Sequence, residues 1–69
     1  MAEPSVAELR AEAAHAAQRL ALYRRRILLG RGEQVRLAEL QRVADGADQR
    51  LKRALTRERD REARRGDAG

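Results

Sequence analysis

The chain has 69 residues, no Cys, no Trp or Phe, a single Tyr and a net charge of +5. That length allows one domain with a small core. The lack of Cys excludes a disulfide framework and a thiolate metal site, and no apolar run approaches the roughly 18 residues that a membrane span needs.

Residues 1–4, MAEP, are expected to be disordered. The N-terminal stretch has neither a basic nor an apolar region of the secretory kind, which predicts a cytoplasmic location. Ser5-Val6-Ala7-Glu8 reads as a capping box: the Ser5 hydroxyl accepts from the amide of Glu8, and Glu8 reaches back to the amide of Ser5. A first helix is therefore predicted over about 5–29. Along it, Val6, Leu9, Ala13, Ala16, Leu20, Tyr23 and Ile27 recur at alternating spacings of three and four. This is a heptad-like seam with charged residues elsewhere. Its middle is all alanine, thin enough for another helix backbone to come close.

Gly30-Arg31-Gly32 interrupts the pattern. Each Gly within a helix costs about 1 kcal/mol relative to Ala, so two in three residues favour a break. A second seam follows in Leu37, Leu40, Ala44, Ala47, Leu51 and Ala54, with Val43 and Leu55 beside it, on a helix predicted over about 33–64. Folding at 30–32 sets Ile27 near Leu37, Tyr23 near Leu40, Leu20 near Ala44, Ala16 near Ala47 and Ala13 near Leu51. The expected fold is all-α, an antiparallel two-helix hairpin of coiled-coil type over 5–64. Its core residues are Leu9, Leu20, Tyr23, Ile27, Leu37, Leu40 and Leu51. Two alternatives stay open: one long bent helix through the glycines, or a turn at Asp45-Gly46, where Asp45 can act as an N-cap. A small core of Ala and Leu also favours a second copy or another partner.

The positive charge is uneven. Residues 50–69 hold eight Lys and Arg against four acids, whereas residues 1–49 hold eight Arg against seven. Opposite charges lie at helical spacing in the C-terminal part, as in Glu58 with Arg61 and Asp60 with Arg64. Residues 65–69 are expected to be disordered. Such an arm can attract nucleic acid or an acidic protein.

The chemistry of catalysis is missing from the sequence. His15 is the only histidine and the hydroxyls are Ser5, Tyr23 and Thr56. No nucleophile has a base oriented by a third group, and no three or four ligands cluster for a metal. The chain is read as a non-enzyme, and His15 as an ordinary helix residue.

The segment Leu22 to Glu33, LYRRRILLGRGE, holds three successive arginines. They point about 100° apart on a helix and do not share a face. Arg24 and Arg26 read as flanks of the seam, their stems covering apolar surface. The run from Tyr23 to Arg31, followed by Arg36-Leu37-Ala38-Glu39-Leu40, resembles the first-helix pattern of the RsiG family. Members of that family are actinobacterial helical anti-sigma factors that hold a WhiG-type sporulation sigma factor when bound to cyclic di-GMP. The fifteen Arg against one Lys fit the GC-rich genomes of that group.

The family's ligand motif is E-x3-S-x2-R-x3-Q-x3-D, one stripe along a helix. In this chain its positions fall on Gln18, Leu22, Arg25, Leu29 and Glu33. The resemblance makes Gln18, Arg25 and Glu33 the candidate cyclic di-GMP residues. Leu22 and Leu29 stand where the motif has hydrogen-bonding side chains, so the motif is degenerate; buried against phosphate, they would remove water without replacing its bonds. No other cofactor is implied. A weaker partial match runs over Leu40 to Gly46. The expected function is a transcription-regulating interaction protein that binds a sigma factor or a related regulator, with a homodimer as a further possibility. The alternatives are a basic helical nucleic-acid-binding protein and a plain structural or oligomerisation hairpin.

Overall fold

The structure, a computed structural model, describes residues 3–67. Those residues form two helices, α1 (Val6–Leu28) and α2 (Gln34–Asp67). Ser5 caps α1 from an extended conformation, and its hydroxyl accepts from the Glu8 amide at 3.1 Å, the first half of the expected capping box.

At its other end α1 closes in a Schellman motif. The Gly30 amide donates to the Ile27 carbonyl at 3.0 Å, and the Arg31 amide donates to the Arg26 carbonyl at 2.8 Å. Gly30 has φ +72°, a left-handed conformation in which a β-carbon would be strained. Gly32 is required for a different reason: a β-carbon there would stand 2.8 Å from Ile27 Cδ1 and 3.2 Å from Tyr23 Cζ. The chain therefore turns tightly back over the last turn of α1. Glu33 then caps α2, its carbonyl accepting from the Leu37 amide at 3.1 Å.

The two helices run antiparallel, as shown by the ion pairs between Arg50 and Glu12 at 2.5 Å and between Arg57 and Glu3 at 3.5 Å. The turn thus falls at 29–33, and α2 passes unbroken through Asp45-Gly46. The helix absorbs Gly46 because the sequence on either side keeps its apolar spacing.

The seam is the core. Leu9, Ala16 and Leu20 of α1 and Leu40, Ala47 and Ala54 of α2 are buried. Val6, Ala13, Tyr23 and Ile27, with Leu37, Ala44, Leu51 and Leu55, are half-buried around them. Val43 is 53% exposed, outside the seam.

The structure differs from the expected boundaries at both ends. α2 continues to Asp67, so residues 65–67 are helical. Arg64 and Arg65 occupy its last turn, where cations meet the negative end of the helix dipole and offset the cost of Gly66. Glu3, expected in a disordered N-terminus, is tied to Arg57. The ion pairs formed among the described residues are Arg36–Glu39, Arg50–Glu12, Lys52–Asp48 and Arg57–Glu3. Residues 1, 2, 68 and 69, also expected to be disordered, lie outside the described residues.

The hairpin is a rod of 59 × 22 × 15 Å with a radius of gyration of 16.7 Å, against about 11 Å for a compact chain of this length. From Thr56 onward α2 projects beyond α1, and its residues up to Gly66 are all exposed. No helix among the described residues is long and apolar enough to cross a membrane.

Candidate functional site

Gln18, Leu22, Arg25 and Leu29 line one exposed face of α1 and its C-cap at helical offsets of 0, 4, 7 and 11, with Leu22 at the edge of that face nearest the seam. All four are exposed, Leu22 at 55% and Leu29 at 71%. Glu33 is parted from them. The helix stops at Leu28, the Schellman turn reverses the chain, and Glu33 becomes the cap of α2. Four of the five motif positions therefore share a stripe, and the fifth leaves it at the turn.

Tyr23 explains where Glu33 goes. The Glu33 amide donates to Tyr23 Oη at 2.8 Å. In a capping box the N-cap amide is satisfied by an acid three residues on; here that position is Arg36, and a tyrosine from the preceding helix supplies the acceptor instead. The only aromatic side chain is thus a strut between α1 and the start of α2. Arg24, Arg25 and Arg26 are exposed, and Arg25 and Arg26 lie in the last turn of α1, where the helix dipole favours them. His15 is exposed on the α1 surface.

A second feature runs along one flank of the hairpin. The Glu12–Arg50 pair sets its register. One heptad nearer the turn on each helix stand Arg19 and Val43; two heptads nearer stand Arg26 and Arg36. One heptad the other way, Arg57 of α2 meets Glu3. At the open end acids and arginines pair across the helices. At the turn end Arg19, Arg26 and Arg36 instead surround an open cleft of about 250 Å³, floored by Leu22, Tyr23 and Leu40. Arg36 is bound to Glu39 on its own helix at 3.3 Å, whereas Arg19 and Arg26 form no ion pair among the described residues. A larger groove of about 730 Å³ opens at the other end beside Pro4, Leu9, Arg53 and Arg57.

This arginine cleft escaped the reading of the sequence, which treated Arg26 as a solvated flank. The available signal was the heptad spacing of Glu12, Arg19 and Arg26, matched by Arg36, Val43, Arg50 and Arg57. Placing the two series side by side needs the length of the turn. Among the described residues no cluster of three His, Asp or Glu side chains is placed to hold a metal. Comparison with known protein families, with characterised proteins and with solved structures finds no match to this chain.

Proposed function

We propose that this chain is a non-enzymatic helical regulator of the RsiG type, which acts by packing its hairpin against a sigma factor or a related regulatory protein. The observation that carries this reading is surface. The hairpin exposes 5963 Å², about a third more than the roughly 4,400 Å² of a compact chain of its 7.8 kDa mass. Among the described residues six side chains are buried, three of them alanines, and no large side chain is fully enclosed. A rod with so thin a core gains by covering its flanks with another protein. The likeness of residues 18–46 to the RsiG pattern selects a sigma factor as that protein.

Within this reading the scaffold is kept and the nucleotide is not. Leu22 and Leu29 offer no hydrogen bond to a phosphate or a base edge, and Glu33 sits beyond the end of the helix that carries Gln18 and Arg25. A nucleic-acid reading would use the projecting end of α2, but there Glu58, Asp60 and Glu62 alternate with the arginines, and no aromatic side chain is present to stack on bases.

Affinity capture with the full chain from actinobacterial cytoplasm tests the proposal. A sigma factor is the expected catch, without added cyclic di-GMP. Recovery of no sigma factor with the chain folded sinks the reading, and titration calorimetry with cyclic di-GMP is expected to show no heat of binding.

A further inference from the structure

We infer that the turn-proximal flank docks an acidic amphipathic helix of a partner protein, laid in the groove between α1 and α2 as a third helix. The inference deepens the proposed function and rests on its premise that the chain works by holding another protein.

Charge is the first argument. Arg19, Arg26 and Arg36 converge on one cleft, and the internal device that neutralises the other end of the same flank, an acid opposite each arginine, is missing here. Arg26 faces the Arg36 side of the groove where Glu12 faces Arg50 one end away. Arg36 is paired with Glu39 of its own helix, while Arg19 and Arg26 keep exposed positive charge at the rim of the cleft, which an acidic surface laid over them complements.

The second argument is the floor. Leu22 is 55% exposed and Val43 53% exposed, one on each helix of this flank, and Leu40 and Tyr23 lie between them in the cleft. Apolar side chains framed by arginines match a partner helix that is apolar on one stripe and acidic on its borders. Spacing points the same way. Arg19 and Arg26 stand one heptad, about 10 Å, apart along α1, which is the repeat of glutamates bordering a coiled-coil seam. A helix resting between two antiparallel helices meets the flanking residues of both.

Nucleic acid fits the cleft less well. Exposed leucine and valine between the arginines contribute nothing to phosphate binding, and the Tyr23 ring is half-buried with its hydroxyl engaged, so it offers no stacking platform.

The test is fluorescence anisotropy of the full chain with a labelled designed peptide of about three heptads, with Leu at a and d and Glu at e and g. Binding is expected, weakened at least about tenfold by Arg26→Glu and also by Leu22→Ser, and abolished when lysines replace the peptide's glutamates. Both substituted positions are exposed, and circular dichroism verifies that each variant remains helical. No binding by the folded chain overturns the proposal. Equal binding of a glutamate peptide without leucines overturns it in favour of charge alone, and equal binding of single-stranded DNA overturns it in favour of nucleic acid. The peptide contains no sigma-factor sequence, so its failure is distinct from a failure of the capture experiment.

Discussion

The two ends of the hairpin are built on opposite plans. At the turn the backbone is specified closely: a left-handed Gly30, a Gly32 with no room for a β-carbon, and a tyrosine strut to the cap of α2. Yet the surface there is unresolved, with three arginines around one cleft and Leu28, Leu29 and Val35 at 86%, 71% and 70% exposure. At the open end nothing ties the helices covalently, and cross-helix pairs form instead, Glu12 on Arg50 and Glu3 on Arg57, with Leu9 only 3% exposed. Geometry and charge are divided between the ends. The turn fixes the register of the helices, and side-chain contacts hold their far ends together.

Substitutions can break that division. The largest effect is expected from Leu9→Ala, which empties the best-buried apolar site of the open end and costs about 2–3 kcal/mol in thermal unfolding. In a chain with so small a core such a loss takes most of the stability. Tyr23→Phe keeps the ring and removes one acceptor, leaving the Glu33 amide without its partner, at a cost of about 1 kcal/mol. If it cost as much as Leu9→Ala, the turn would be the main source of stability and the division would be wrong. The smallest pair tests the surface: Arg19→Gln, in the middle of α1 and away from the helix dipole, should stabilise by about a few tenths of a kcal/mol, and Glu12→Gln should destabilise by a similar amount. Both differences should fade in 1 M salt, where screening acts over about 3 Å; a destabilised Arg19→Gln would show that the turn-end arginines are not in conflict.

Much of this was legible in the sequence. The seam was readable because burial follows heptad spacing, and every α1 position from Val6 to Ile27 in that series is buried or half-buried. The turn was readable because two glycines in three residues are costly within a helix, whereas the lone Gly46 is absorbed by α2. The role of Tyr23 as a strut was not readable. Its hydroxyl meets an amide ten residues on only because the Schellman turn brings that amide back. Ion pairs were sought along α2, but the longer-range ones bridge the helices, since a cross-helix partner is a matter of tertiary register. Of the candidate ligand residues, the positions of Gln18 and Arg25 on a common face followed from helical offsets, while that of Glu33 depended on where the helix ended.

The Tyr23 strut has an optical consequence. With no Trp or Phe in the chain, all near-ultraviolet absorption and intrinsic fluorescence come from a ring that touches the turn and bonds to its far side. Far-ultraviolet dichroism, by contrast, averages over both helices. The molecule therefore carries two independent readouts, one for the hinge and one for the rod, and a scan that separates them in temperature would reveal the turn opening while the helices are still formed.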